Sequence, residues 1–147
     1  MNEFTIIEPN SQDDLADYYR IRYEVLRKPW NQPVSSTKDD TESSSIHILV
    51  KNSESISVAT GRIQFNTADE AQIRSMAVSN ECQGLGIGSL MMNHLEKIAL
   101  EKNIKTIVLD ARENAIAFYE KNGYEIVSTS YLLFGEIQHF KMKKIFI

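Results

Sequence analysis

The apolar positions of this chain switch between two spacings, and the switches outline a succession of strands and helices. Glu3-Phe-Thr-Ile-Ile-Glu8 reads as a first strand, stopped by Pro9-Asn10. Ser11, with Asp13 and Asp14 behind it, is a helix start, and Leu15, Tyr18, Arg22, Val25 and Leu26 then recur at helical spacing. This predicts a helix over about 12–28, ended by Pro29. The stretch 28–45 holds two prolines, many serines and Asp39-Asp40, which predicts the longest irregular region. Strands are expected at 46–50, 56–65 and 71–78, with turns at Asn52-Ser53 and Asn66–Asp69. Ile87, Leu90, Met91, Leu95 and Ile98 mark the apolar face of a helix over about 86–102, with Met91 and Met92 read as core and Asn103 as its cap. Thr106–Leu109 reads as a buried strand and 113–121 as a short helix closed by Asn122-Gly123. Two last strands, 124–133 and 137–146, are joined through Gly135. No repeat, linker or low-complexity tract divides the chain, so a single domain over 1–147 is expected.

The most informative segment joins the third long strand to the second helix: Arg74-Ser-Met-Ala-Val-Ser-Asn-Glu-Cys-Gln83-Gly-Leu-Gly-Ile-Gly88. A glycine-rich turn opening onto a helix N-terminus leaves several backbone N–H groups unpaired, where the helix dipole also favours an anion. Glycines allow a phosphate to approach the main chain. Spacing narrows the choice of phosphate compound. A dinucleotide fingerprint counted from Gly84 and Gly86 requires a third glycine where Ser89 stands. A Walker A loop requires a lysine, and none lies between Lys51 and Lys97.

The pattern Gln83-x-x-Gly86-x-Gly88 resembles the Gln/Arg-x-x-Gly-x-Gly/Ala signature of the GNAT (Gcn5-related) N-acetyltransferases. Asn114-Ala-Ile-Ala-Phe118-Tyr119-Glu-Lys-Asn-Gly123-Tyr124 looks like that family's second motif, in the right order and at about the right distance. The resemblance implies an α/β (α+β) fold: a mixed, mostly antiparallel sheet of about seven strands, flanked by helices on both faces. It implies that residues 74–78 splay from 106–109, and that the pantetheine arm of acetyl-CoA lies in the opening as an added strand would. It places cofactor contacts at Met76, Ala77, Val78, Gln83, Gly84, Leu85, Gly86, Ile87, Gly88, Ser89, Asn114, Phe118 and Tyr119. More weakly, His47-Ile-Leu-Val and Ile137-Gln-His139-Phe-Lys-Met142 resemble segments of the ElaA/YjcF-like branch.

The implied reaction is direct attack of an amine, in a small-molecule acceptor, on the acetyl-CoA thioester, with CoA as product. It needs a neutral amine, a donor for the developing oxyanion and a proton for the departing thiolate. A backbone N–H of Met76, Ala77 or Val78 is the natural oxyanion donor, Val78 first among them, and Tyr119 matches the family's general acid. Asn114 is read either as a pantetheine contact or as a helix cap. The acceptor-site candidates are Arg22, which falls inside an apolar stripe, Trp30 in the stretch 28–45, which the resemblance implies to be a lid over the acceptor site, Arg74, His47 and His139. Arg22 also has a plainer reading, its stem packed and its head on a carboxylate or carbonyl. Asp39, Asp40 and Glu42 of the lid hint at a cationic acceptor. Two departures stand out: family loops often carry proline and a basic residue where this chain has Glu81 and Leu85. A domain that binds acetyl-CoA without turnover, as a sensor or structural module, is therefore the alternative.

Composition excludes more than it adds. With 147 residues and a net charge of −4, the chain is long enough for a core and carries no basic block or stripe that would suit nucleic acid. One cysteine excludes an intrachain disulfide, and Cys82 has no histidine near it in sequence to activate it. The first nine residues are acidic and lack an apolar centre, and no apolar run reaches membrane-spanning length, so a cytoplasmic protein without membrane contact is expected. The histidines lack partners at ligand spacing, and no metal is expected. The oligomeric expectation stays at monomer or homodimer.

Overall fold

The computed structural model describes residues 3–146; Met1, Asn2 and Ile147 lie outside the described residues. The element order is β1 (Thr5–Ile7), α1 (Gln12–Leu26), β2 (Ile46–Lys51), β3 (Ser57–Phe65), β4 (Glu70–Val78), α2 (Ile87–Glu101), β5 (Thr106–Arg112), α3 (Ile116–Lys121), β6 (Glu125–Leu133) and β7 (Ile137–Ile145). The seven strands form one mixed sheet in the order β1-β2-β3-β4-β5-β7-β6, in which only β4 and β5 run parallel. The implied fold class is therefore the observed one. One core lies between the sheet and α2 with α3, built on Met91, Met92, Leu95, Ile48, Ile63 and Ile107. A smaller core lies under α1, where Tyr18 and Ile21 meet Leu49 and Ala77.

Several boundaries moved for local reasons. Helix α1 starts as expected, with the Ser11 hydroxyl accepting from the Asp14 amide at 3.1 Å, but it ends at Leu26. Pro29 then sits inside a separate 3₁₀ turn, Lys28–Trp30. Strand β5 continues through Asp110, Ala111 and Arg112, because β7 offers pairing partners along that whole length. The short helix expected over 113–121 splits into a 3₁₀ turn at Glu113–Ala115 and α3. On α2 the buried face uses Met92 in place of Leu90, which is exposed. On α1 it uses Ile21 in place of the exposed Leu15.

The feature that shapes the sheet is a bulge in β4. Residues 75 and 76 both lie opposite Gly61, since Arg62 pairs with Arg74 while Thr60 pairs with Ala77. Ser75 adopts φ 56°, the left-handed conformation such an inserted residue often needs. Gly61 leaves room for the Met76 side chain, since a Cβ at that position would come within 2.7 Å of Met76 Sδ and displace it. The extra residue reverses the strand's alternation. Before the bulge Ala71 and Ile73 face the α2 core; after it Met76 and Val78 do, and Ala77 turns to α1. Beside the bulge, β4 and β5 part. They pair only at Glu70/Thr106, Ala71/Ile107 and Gln72/Val108, after which β4 follows β3 and β5 follows β7. The splay expected from 74 onward thus begins at Ile73.

The segment 27–45 is ordered by a buried charge cluster. Arg62, fully buried in the middle of β3, and Arg22, 2% exposed on α1, both meet lid carboxylates. Glu42 accepts from Arg22 Nη1 at 2.6 Å, from Arg22 Nη2 at 3.1 Å and from Arg62 Nη1 at 2.9 Å. Asp39 pairs with Arg62, and Thr41 adds a further contact. Arg22 Nη2 also donates to the Thr37 carbonyl at 2.6 Å. Burial alone would raise the Glu42 carboxyl, but the hydrogen bond and charge of Arg22, with Arg62 behind it, hold it below its ordinary value of 4.5. The carboxylate therefore contributes stability that is present above that value and is lost as pH falls through the depressed one. Glu42→Ala leaves two buried guanidiniums short of a counter-charge and is expected to cost about 3 kcal/mol in urea unfolding at neutral pH. The variant's stability should also fall less steeply than the parent's below pH 4.5.

Candidate active site

Strand β4 leads through a 3₁₀ turn, Asn80–Cys82, to the glycine loop and then to α2. Gly84 and Gly86 have φ of 85° and 80°, and the space where a Cβ would sit is open at both. The amides of Gly84, Leu85, Gly86, Ile87, Gly88 and Ser89 find no acceptor among the described residues; the next, Leu90, donates to the Gly86 carbonyl at 3.1 Å. Six consecutive donors at a helix N-terminus, with no side chain capping it, form a cradle for phosphate oxygens. Gly88, whose amide belongs to this cradle, has a packing role as well. A Cβ there would lie 2.9 Å from Phe118 Cζ, so its smallness admits the Phe118 ring against the first turn of α2. Gln83 folds back on the strand, its Nε2 donating to the Val78 carbonyl at 3.3 Å and to Asn80 Oδ1 at 3.3 Å. The Ser89 hydroxyl accepts from Asn122 Nδ2 at 3.4 Å, which ties α3 to the loop.

The bulge decides which amide faces the splay. The Ser79 amide donates to the Val58 carbonyl at 2.9 Å, so Val58 and Ser79 form a bonded pair and Ala59 and Val78 the next, unbonded pair. Ala77 is spent on Thr60, whereas the Val78 N–H turns away from β3 toward the opening. Without the inserted residue these roles would exchange.

A cavity of about 350 Å³ lies in that opening. Its wall includes Ser75 and Met76 of the bulge, Tyr119 of α3, and Asp110 and Arg112 at the far end of β5. Arg27 after α1, Arg74 of β4, and Tyr131 and His139 of the β6–β7 pair complete it. Burial pushes the Tyr119 hydroxyl up to about 12, against a smaller opposing effect of Arg112, so it is protonated at neutral pH. Its hydroxyl has no hydrogen-bond partner among the described side chains, and its ring meets Phe118 and Tyr124 edge-on. His139 is 4% exposed and stacks on Tyr131 with ring centroids 4.4 Å apart. Its Nδ1 lies 3.0 Å from the Ile137 carbonyl, which fixes the proton there and leaves Nε2 with a free lone pair. Burial lowers the His139 pKa; the Ile137 carbonyl opposes this, and Arg112 adds to it.

The sequence-derived candidates separate into two groups. Arg74 and His139 reach the cavity wall. Arg22 is held by Glu42 and Thr37 in its plainer role, and His47 is fully engaged, with Nδ1 2.6 Å from the Tyr18 hydroxyl and Nε2 2.7 Å from the Glu42 carbonyl. Trp30 lies in the 3₁₀ turn after α1 and does not line the cavity. Asn114 is exposed and caps neither neighbouring helical turn, so the capping reading drops out. The lid acids do not give an acidic site, because Asp39 and Glu42 are consumed by Arg62 and Arg22. Sequence reasoning passed over Arg27, Asp110, Arg112 and Tyr131. The polar-apolar-polar run Asp110-Ala111-Arg112 directly after a buried strand is the signal that marks the strand's open end. Among the described residues, no group of three or more His, Cys, Asp or Glu is placed to hold a metal, and no helix is long and apolar enough to cross a membrane.

The Gly88–Phe118 contact generates a stability test. Gly88→Ala should displace the ring and cost about 1–3 kcal/mol in chemical denaturation, the usual range for overpacking. Adding Phe118→Leu should recover part of that loss, which a purely conformational effect of the alanine would not allow.

Comparison with known proteins agrees with this geometry. The profile of the family described as Acetyltransferase (GNAT) family matches residues 13–124. The chain is 30% identical to an uncharacterized N-acetyltransferase, YjcF, of Bacillus subtilis (strain 168) over 134 residues, covering 91% of this chain and 94% of that one. Escherichia coli ElaA superposes with a TM-score of 0.77 at 23% identity, covering 98% of this chain and 99% of the other. A GNAT family acetyltransferase from Elizabethkingia anophelis, solved with acetyl-CoA bound, superposes with a TM-score of 0.78 at 14% identity, covering 97% and 98%. The splayed strand pair and the amide cradle at α2 are thus set in a recognisable lineage, and the chain belongs to the GNAT acetyltransferase family.

Proposed function

We propose that this protein transfers an acetyl group from acetyl-CoA to a primary amine of a small molecule, by direct attack on the thioester. The observation that carries the reading is one cavity between splayed strands whose wall includes Tyr119 and His139, with Met76 of that wall two residues before Val78 on β4. Acetyl-CoA suits the residues present: its pyrophosphate finds six free amides over two open glycines, and the extended arm finds unpaired strand edges beyond Gln72 and Val108. Bound there, it would supply an activated acyl carbon and a thiolate leaving group.

The chain's own groups divide the remaining work. His139 Nε2 takes the proton of the attacking amine as the N–C bond forms. The Val78 N–H donates to the acyl oxygen as negative charge grows on it. The Tyr119 hydroxyl donates its proton to sulfur as the C–S bond breaks. Burial pushes both side chains further toward the protonation state this scheme requires near pH 7, lowering the His139 pKa and raising that of the Tyr119 hydroxyl. Glu81 and Leu85, where family loops often carry proline and a basic residue, leave the phosphates to the amides alone and favour a modest cofactor affinity.

Two substitutions test the assignment by acceptor-dependent release of free thiol. Tyr119→Phe should lower kcat by about 10²-fold, the lower end for general acid–base catalysis, with acetyl-CoA affinity preserved. His139→Gln should lower kcat by a similar factor. In the parent enzyme the acid limb of kcat should lie below the ordinary imidazole value of 6.5, because the folded pKa is depressed, and that limb should vanish in the variant. Unchanged turnover in either variant removes that residue from the scheme. Acetyl-CoA binding without thiol release for any amine would favour the non-catalytic alternative.

A further inference from the structure

The charges on the cavity wall are strongly one-sided for a protein of net charge −4. Three guanidiniums, of Arg27, Arg74 and Arg112, face one carboxylate, that of Asp110. That carboxylate is already engaged by the Ser130 hydroxyl at 2.7 Å and by Gln72 Nε2 at 3.4 Å. Arg74 has a loose contact with Asp39 at 3.7 Å. Arg27 and Arg112, both half-buried, have no carboxylate within ion-pair distance among the described residues. Among the described residues their hydrogen-bond acceptors are carbonyls: Arg27 donates to Ser36 at 3.1 Å and Leu26 at 3.3 Å and also lies 5.6 Å over the Phe134 ring, and Arg112 donates to the same Leu26 carbonyl at 3.3 Å.

Elsewhere the fold behaves differently. The most buried arginines, Arg22 and Arg62, are each matched to carboxylates. Burial lowers the pKa of both, and for Arg27 the charge of Arg112, held against the same carbonyl, lowers it further. A guanidinium offers five N–H donors, and here most of them meet no protein acceptor among the described residues. An anion delivered from outside would match them. The cofactor's pyrophosphate is not that anion, because no residue of the glycine loop 83–89 lines this cavity.

We infer that the acceptor carries an oxyanion group beside its amine, and that Arg27 and Arg112, with the more exposed Arg74, hold that group in the cavity. The inference rests on the acyltransferase reading and sharpens it: the substrates are small amino acids or amino phosphonates, not polyamines or other purely cationic amines. The cavity's size agrees with a molecule of that class, and it reverses the hint of a cationic acceptor that the lid acids give in sequence.

Matched acceptors isolate the anion. γ-Aminobutyrate and 3-aminopropylphosphonate each differ from n-propylamine by the acidic group alone, and L-phenylalanine differs from phenethylamine in the same way. Thiol release from acetyl-CoA should show kcat/KM at least about tenfold higher for an anionic member than for its neutral partner, as one charge-assisted hydrogen bond provides. The better of carboxylate and phosphonate identifies the source of the anion. In Arg112→Gln and in Arg27→Gln the preference should collapse toward unity through KM, with folding checked by thermal unfolding. A second readout needs no turnover: the anionic compounds should raise the unfolding temperature of the acetyl-CoA-free protein, and Arg112→Gln should abolish the rise. Neutral amines that match or exceed their anionic partners would overturn the inference, as would a preference that survives both substitutions. If no amine of either kind releases thiol while the anionic compounds still stabilise the protein through Arg112, the acyltransferase reading fails and the anion site stands. The reverse failure, turnover with no anion preference, leaves the enzyme and removes the site.

Discussion

The cleft that this protein offers to a ligand depends on one extra residue in β4. Gly61 allows Ser75 and Met76 to crowd opposite a single position, and the strand then resumes with its alternation reversed. That reversal aims the Val78 N–H at the opening instead of at β3. It also bends β4 away from β5 at the point where their pairing stops, which makes room for the cavity. A regular β4 would close the sheet and bury the amide in a ladder. The glycine loop would remain, but it would lead to no cleft.

The second organising feature is the use of carboxylates far from the cavity. Arg62 is buried where a central strand ordinarily has an aliphatic side chain, and it is tolerated because Asp39 and Glu42 fold down from the lid onto it and onto Arg22. Burying unpaired charge costs several kcal/mol, so the clamp fixes the path of 27–45 more firmly than its serine-rich composition suggests. One consequence bears on specificity. Asp39 and Glu42 are spent on Arg62 and Arg22 while Asp40 stays exposed, and among the described residues Arg27 and Arg112 at the cavity have no carboxylate partner.

The glycine loop and Tyr119 were legible because each is fixed by local spacing: positive φ demands glycine at 84 and 86, and the second motif carries the tyrosine. The strand succession was legible from apolar periodicity. The bulge left a fainter trace, apolar positions that fall at 71 and 73 and then at 76 and 78, a skip of one that was read as continuous strand. The acceptor wall was the least legible part. Its residues come from α1's end, β4, β5, β6 and β7, so only the sheet order brings Arg27, Arg112, Tyr131 and His139 together. Arg22 and His47 attracted attention as polar groups on apolar elements, and both are satisfied internally, by Glu42 and by Tyr18 with the Glu42 carbonyl.

The account stands most directly on the occupancy of the amide cradle and splay by acetyl-CoA. Calorimetric titration of the folded protein with acetyl-CoA, with ATP titrated in parallel, measures it. Saturable binding of one acetyl-CoA per chain, with no response to ATP, is expected. A folded sample silent toward acetyl-CoA, or one that binds ATP more tightly, would contradict it.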